Sequence, residues 1–251
     1  KAPEPERRRA ARIAGMSKPD PLRAEVDHLV VAGRTLDECV QWCESTLGLQ
    51  PGPGGAHPLM GTHNRLLLCS ASGFERSYLE LIAIERGKQP TRSKGQRRWF
   101  DLDDEGLQST LRRQGPRLIH FVARVTDAHK AVQALATGAR AIDRGAVVEA
   151  SRDTPAGRLE WRITVRDDGQ RLMYGALPTL IQWGAVHPTD SMAGAGLELV
   201  SLTACHPRAE QLRDAYARIG LTGVDVHQGA PSLVASLRTP RGLVTLESEG
   251  H

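Results

Sequence analysis

Apolar and polar residues follow the same order of patterns three times along the chain. Each unit opens with an apolar, strand-like run and continues through a short polar turn into about three turns of amphipathic helix. The three apolar runs are Val26–Ala32, Leu118–Val125 and Leu197–Thr203. Each predicted helix stops at a glycine, the residue that most often ends a helix; these are Gly48, Gly138 and Gly220.

Polar residues mark the start of each helix. Thr35 stands three residues before Glu38, a capping-box spacing, and predicts a helix from Leu36 to about Leu47. Asp127 caps a second predicted helix over 128–137, and Pro207 is a favourable first residue for the third.

Strand-like segments follow each predicted helix, so each unit reads approximately βαβββ. They are Asn64–Ser70 and Ser77–Ile84 in the first unit, Ala146–Ser151, Leu159–Val165 and Leu177–Trp183 in the second, and Val224–Gln228, Ser232–Arg238 and Leu243–Glu247 in the third. A sheet that carries helices on one face must bury its other face as well. We therefore predict an α+β fold in which paired βαβββ modules form a curved mixed sheet around a cavity, with a third, partial βαβββ-like module.

The same pattern places the module boundaries. The modules are expected at 24–86, 117–186 and 197–248. Residues 87–116 are polar and interrupted and read as a linker, and 187–196 form a second, shorter one. Residues 1–23 read as a disordered basic extension.

Composition and charge remove several classes of function. Apolar residues make up 40% and charged residues 25% of the 251 residues, without the apolar run of ~18 residues that spans a bilayer. Residues 1–15 hold five basic and two acidic residues and so carry most of the net charge of +4, which argues against a nucleic-acid groove. Nucleotide-binding and serine-hydrolase motifs are missing. We expect a cytoplasmic protein, with its four cysteines as reduced thiols.

Two histidines occupy the same position in the repeat. His28 precedes the cap Thr35 by seven residues, and His120 precedes Asp127 by seven. Strand alternation turns Leu29 toward the helices and the histidines toward the enclosed side. The third unit has a leucine at this position, so we expect it to be structural or to pack on another copy in a homodimer.

The last strands of the first two units supply polar partners for these histidines. Glu80 and Gln182 each lie between large apolar residues that face the other way. A buried carboxylate is costly unless it is paired, and a metal ion compensates it. Imidazole and carboxylate groups are common ligands of Zn²⁺, Fe²⁺, Mn²⁺, Co²⁺ and Ni²⁺. We predict a divalent-metal site of His28, Glu80, His120 and Gln182, with Glu80 also acting as a catalytic base.

Further polar and aromatic residues are candidates for substrate binding. His63 and Asn64 follow a glycine-rich loop that could close over a ligand, although a turn chosen for backbone reasons explains the loop equally well. His63 is also an alternative ligand to His120. Arg124 is a candidate partner for an anionic substrate, and Trp183 is a candidate wall of the cavity.

Particular fragments add a family resemblance to this reading. Asp27-His28-Leu29-Val30, Gly61-Thr62-His63-Asn64 and Tyr78-Leu79-Glu80-Leu81 are similar to glyoxalase-like domain proteins of the vicinal oxygen chelate superfamily. The resemblance covers roughly residues 24–186 and implies metal ligands from the first and last strands of each module. It implies a metal-dependent lyase, isomerase or dioxygenase that acts on a small substrate with two neighbouring oxygens. A metal-free protein that binds or sequesters a small molecule is the alternative.

Overall fold

The computed structural model describes residues 21–154 and 157–250, so the predicted basic extension lies almost wholly outside the described residues. Two sheets are present in this part of the chain. One has eight strands, all from the first two modules, and the other has four, all from the third.

The first module follows the predicted element order. Its elements are β1 Ala24–Ala32, α1 Leu36–Trp42 with a π-helical continuation Cys43–Leu47, β2 Ala56–His57, β3 Thr62–Leu68 and β4 Tyr78–Ile84. The Thr35 hydroxyl accepts a hydrogen bond from the Glu38 amide at 3.1 Å, as the capping spacing predicted. Gly48 ends the helical segment at a φ of 73°, a conformation that favours glycine.

The linker predicted between the first two modules is folded, and a few of its apolar residues are buried. It contains α2, Glu105–Gln114, whose amino end is capped by the Asp104 side chain. Trp99, Phe100 and Leu102 precede this helix and are buried. They pack on the inner face of the large sheet, where the sequence pattern predicted an open cavity.

The second module repeats the architecture of the first. It consists of β5 Arg117–Val125, α3 Ala128–Leu135, β6 Ala146–Thr154, β7 Gly157–Val165 and β8 Thr179–Trp183. In both modules the first strand pairs in parallel with the last, and β1 pairs antiparallel with β5 to join the two halves. The prediction of paired βαβββ modules in a curved mixed sheet is confirmed.

Strand alternation divides the apolar residues between two cores. Leu29, Val31 and Phe121 face the helices, whereas Val30 and Val122 face the enclosed side with the linker. His28 lies on the enclosed side, because it pairs with Val122 across the β1–β5 junction.

The third module shares the predicted element order and differs in its connections. Its helix begins at Ala209, after the N-cap Arg208, so the prediction that Pro207 is its first residue is wrong. Its elements are β9 Glu198–His206, α4 Ala209–Ile219, β10 Asp225–Gln228, β11 Ser232–Thr239 and β12 Gly242–Glu247. Here the first strand pairs in parallel with β10, the strand directly after the helix, and lies in the interior of its sheet. Leu199, Leu233 and Leu237 join the core that contains Phe121. The same chain therefore covers the sheet face that led us to expect a homodimer. No helix in the described ranges has the length and apolarity needed to cross a bilayer.

Replacing Thr35 by alanine tests the cap at the start of α1. The variant loses the acceptor for the Glu38 amide, and we expect the free energy of unfolding to fall by about 1 kcal/mol in urea denaturation. Thr222→Ala is the matched control, because Thr222 is exposed and only its backbone amide is bonded. Equal stability of the two variants would contradict the capping role.

Candidate functional site

A small enclosed cavity lies between the two halves of the large sheet and the folded linker. Its walls include His28, Asn64, Tyr78, Glu80 and Trp183. Its volume is about 40 Å³. Because one ordered water needs ~10–15 Å³, the cavity has room for a few waters or for an ion and the reacting end of a ligand.

His28 and Glu80 face one another across this cavity, and both are about 95% buried. The His28 Nε2 atom is 3.6 Å from Glu80 Oε2, which is too long for a good hydrogen bond. Two ligand atoms that each lie ~2.0–2.2 Å from one ion at a tetrahedral angle are ~3.4 Å apart. The separation therefore suits a shared ion, and the two residues face one another as predicted, while their role as metal ligands stays a prediction.

Asn64 holds the other oxygen of the Glu80 carboxylate. Its Nδ2 donates to Glu80 Oε1 at 2.6 Å, while its Oδ1 accepts from the Gly55 amide at 2.8 Å. The same Nδ2 is 3.3 Å from Nε2 of His57. Burial, followed by the charge of Arg152, lowers the pKa of His57 to about 3. His57 is therefore a neutral acceptor in this chain of contacts at neutral pH.

Asp27 orients the His28 ring through a hydrogen bond to Nδ1. This role of Asp27 was not predicted from the sequence. Strict alternation places Asp27 on the face opposite to His28. In the structure Val26 pairs with Ala123 and His28 with Val122, so Asp27 is the extra residue of a β-bulge. The bulge allows the Asp27 carboxylate to reach His28, with Oδ1 at 2.6 Å from Nδ1. The signal in the sequence was a carboxylate inside an apolar strand, the same signal that identified Glu80.

Two further donors complete the surroundings of Asp27, which is fully buried. His187 Nε2 and Trp183 Nε1 lie 2.9 and 3.0 Å from Asp27 Oδ2. His187 Nδ1 accepts from the Thr189 amide, so the proton of this ring sits on Nε2 and is donated to Asp27. Burial by itself raises the pKa of Asp27, but the hydrogen bonds from His187 and His28 and their charges hold it well below its ordinary value.

The ionised Asp27 decides the tautomer of His28. An ionised carboxylate only accepts, so His28 carries a proton on Nδ1, and Nε2 is the ring nitrogen that faces Glu80. This carboxylate–imidazole arrangement is typical of metal-ligating histidines and of histidines that act as general bases.

His120 lies on the enclosed side of β5, as predicted, but both of its ring nitrogens are bonded to protein groups. Nδ1 donates to the Gly175 carbonyl at 2.9 Å, and Nε2 accepts from the Thr179 amide at 3.1 Å. Phe100 from the linker lies against the ring, with centroids 5.3 Å apart. His120 does not line the cavity. We therefore leave His120 out of the ligand set predicted from the repeat.

Gln182 faces away from the cavity. Its neighbours Ile181 and Trp183 line the cavity wall, so alternation turns Gln182 to the helical side of β8. There its Oε1 accepts a hydrogen bond from the Ala128 amide at 3.0 Å, at the start of α3. The prediction that Gln182 points into the cavity is wrong, because Leu180 and Ile181 are both apolar and both faces of the strand are buried.

Only two of the four residues predicted to contact the substrate line the cavity. Asn64 and Trp183 line the cavity, whereas His63 is turned to the opposite face of β3 from Asn64. Arg124 forms an ion pair with Glu25 and donates to the Val26 carbonyl at 3.2 Å. The structure thus brings together His28, Glu80, Asn64 and Trp183 from the predicted set.

Replacing Gln182 by alanine separates a helix-capping role from a ligand role. We expect the free energy of unfolding to fall by about 1 kcal/mol, because the Ala128 amide loses its acceptor. Binding of divalent metal, measured by calorimetry, should be unchanged. Gln133→Ala, an exposed change on α3, is the control and should alter neither quantity. Loss of metal binding in Gln182→Ala would restore this residue as a ligand.

His120 should make the protein sensitive to mild acid. Burial, followed by the charges of Arg144 and Arg171, holds the pKa of His120 well below 6.5. Below pH 6.5 the unfolded chain therefore binds a proton that the folded protein does not, and stability falls as the pH falls. The loss from this ring between pH 7.5 and 5.5 is about 1.4 kcal/mol. Urea unfolding should show a shallower pH dependence in His120→Gln, and parallel curves would contradict this assignment.

Comparisons with known proteins place the chain in a family. The profile of the family described as glyoxalase-like domain matches residues 26–220, which is more than half of the chain. No curated protein matches this sequence. A hypothetical protein from Staphylococcus aureus shares the fold at 13% identity and a TM-score of 0.53, over 82% of this chain and 86% of that chain.

Methylmalonyl-CoA epimerases also align with parts of this chain. The Streptomyces coelicolor enzyme is 19% identical, with a TM-score of 0.38 over 64% of this chain and 96% of its own. The Mycobacterium tuberculosis enzyme is 15% identical, with a TM-score of 0.36 over 71% of this chain and 99% of its own. These scores are too low to support an inference about activity. The family match agrees with the paired βαβββ modules and with the motifs around His28 and Glu80, and the chain belongs to the glyoxalase-like domain family.

Proposed function

We propose that this protein is an enzyme that holds a divalent metal ion between His28 and Glu80. Its substrate would be a small molecule with two neighbouring oxygens, and its reaction an isomerase, lyase or dioxygenase type. The observation that carries the proposal is the buried His28–Glu80 pair, whose facing atoms lie 3.6 Å apart in a cavity with little space for anything else.

The side chains around the His28–Glu80 pair favour metal binding over a purely structural contact. A structural His–Glu contact would close to hydrogen-bond distance, because an unpaired buried carboxylate oxygen costs free energy. Here Asp27 holds the His28 ring from one side and Asn64 holds the Glu80 carboxylate from the other. The two inner atoms, Nε2 and Oε2, are left facing the cavity. Such fixed outer partners are what metal ligands and catalytic bases need.

The chemistry divides between the ion and the side chains. A divalent ion in this position supplies a Lewis acid that stabilises negative charge on a substrate oxygen. Glu80 would hold the ion through Oε2 or, once released from it, accept a proton from a carbon next to that oxygen, and Asn64 keeps the carboxylate oriented through Oε1. Tyr78 stacks on His28 with ring centroids 4.5 Å apart and limits the access of water to it.

Metal binding and its dependence on His28 test the proposal directly. We expect protein purified without added metal to contain, or to take up with Fe²⁺, Mn²⁺, Co²⁺, Ni²⁺ or Zn²⁺, about one ion per chain, measured by elemental analysis and calorimetry. His28→Ala and Glu80→Gln should abolish stoichiometric uptake, and Asp27→Asn should weaken it about 10–100-fold. His227→Ala, which removes an exposed histidine of β10, is the matched control. No uptake of any of these ions by the unmodified protein would sink the metal assignment.

The alternative is a metal-free protein that binds or sequesters a small molecule. One observation favours it: within residues 21–154 and 157–250, no three or more His, Cys, Asp or Glu side chains are grouped as a metal site needs. In that case the protein should bind a ligand without converting it, and His28→Ala and Glu80→Ala should leave the affinity for that ligand unchanged. The homodimer and the cytoplasmic location stay predictions, and sedimentation over a range of concentrations tests the first.

A further inference from the structure

A large apolar compartment adjoins the His28–Glu80 cavity. Its volume is about 590 Å³, within the ~300–1,000 Å³ usual for small-molecule sites. Its apolar walls include Leu66, Leu68, Leu159, Val186, Pro188 and Met192. Leu66 and Pro188 line the small cavity too, so the two spaces share a wall. The small cavity accepts only the reacting end of a molecule, and the compartment has the size and the surface to accept an apolar remainder.

The segment between the second and third modules builds one side of this compartment. Val186, Pro188, Met192 and Ala195 lie in its wall. The same segment supplies His187, which donates to Asp27. The wall of the apolar compartment is therefore tied by a hydrogen bond to the residue that orients His28.

Arg152 stands where the two spaces meet, and its charge is not neutralised there. Its side chain lines both spaces. Nη1 is buried and has no hydrogen-bond partner among the described residues, and Arg152 forms no ion pair within them. A Cβ at Gly55 would collide with this nitrogen, so the missing side chain at Gly55 leaves room for the guanidinium group. A buried guanidinium nitrogen without a partner is costly unless a ligand oxygen satisfies it.

Trp99 provides a second donor beside the cavity. The residue is only 8% exposed and lines the cavity, and its indole Nε1 is also without a hydrogen-bond partner in the described part of the chain. Buried indole N–H groups are normally bonded. Two unsatisfied donors, one of them charged, thus border a space whose continuation is apolar. This combination is complementary to an anionic group on an apolar body.

We propose that the molecule bound by this protein is an apolar carboxylic acid, with its carboxylate at Arg152 and its apolar body in the compartment lined by Leu159 and Met192. One part of this inference rests on the proposed function: the reacting end of the acid enters the His28–Glu80 cavity. The positive charge of Arg152 holds the carboxylate, and it contributes little to the binding of a neutral molecule of the same shape. Arg152 therefore determines specificity, and the compartment supplies affinity.

Matched neutral and anionic probes test this inference on the unmodified protein. In isothermal titration calorimetry, 2-naphthoate should bind at least about tenfold more tightly than 2-naphthamide, the range expected for one hydrogen-bonded charge. Arg152→Gln should remove this preference by weakening the binding of the acid alone. Arg158→Gln, an exposed change on the neighbouring strand, should keep it. Gly55→Ala leaves the charge in place but displaces the guanidinium group, and should also reduce the preference.

Three outcomes would overturn the inference. Equal affinities for acid and amide in the unmodified protein, binding of neither, or an unchanged preference in Arg152→Gln would each overturn it. Should circular dichroism show that Arg152→Gln is unfolded, Gly55→Ala and the comparison of the two probes still decide. His28→Ala should lose metal uptake and keep the preference for the acid. A protein that prefers the acid but binds no metal overturns only the metal assignment, and one that binds metal without the preference overturns only the acid.

Discussion

The buried carboxylate of Asp27 is the constraint on which the arrangement of the site depends. A charge taken wholly out of water costs several kcal/mol unless donors surround it. Asp27 receives its donors from three regions, since His28 is its neighbour, Trp183 closes the second module and His187 begins the next segment. The fold must bring these regions together before the carboxylate can be buried. The orientation of His28 is therefore a property of the completed fold.

The two halves of the large sheet are related by a repeat, yet they use equivalent residues differently. His28 and His120 occupy the same position relative to their helices and lie on the same side of the sheet. A bulge in β1 gives His28 a carboxylate on one nitrogen and leaves the other facing the cavity. Thr179 and Gly175 occupy both nitrogens of His120, and the linker covers it with Phe100. The first half thus supplies the facing His28–Glu80 pair, whereas the equivalent histidine of the second half is bonded to groups of its own module.

Segments between the modules complete the site that the strands build. The linker before β5 fills most of the enclosed face with Phe100 and Leu102 and reduces the central space to a small cavity. The segment after β8 supplies His187 and the wall of the apolar compartment. These segments thus help to form two adjoining spaces, a small cavity that holds the His28–Glu80 pair and a larger apolar compartment. This arrangement is the physical basis for the specificity we assign to Arg152.

The sequence alone determined the paired modules, the helix caps Thr35 and Asp127, and the face on which His28 lies. These features follow from local rules: a capping residue acts over three positions, and strand alternation has a period of two. The sequence also identified Glu80, because a carboxylate between leucines needs a partner wherever the strand lies. Asp27 carried the same signal, but only the β-bulge in the assembled sheet decided that it shares a side with His28.

The tertiary structure alone decided which predicted ligands meet. Gln182 has apolar neighbours on both faces of its strand, so alternation alone allowed its side chain to point to either face. The hydrogen bond from the Ala128 amide, at the start of α3, holds the side chain on the helical face. The isolation of His120 depends on Gly175 and Thr179, more than fifty residues away. The place of Arg152 depends on the space left by Gly55, nearly a hundred residues earlier in the chain. Contacts between residues so far apart leave no local pattern, because they arise only when the strands and the segments between them are packed together.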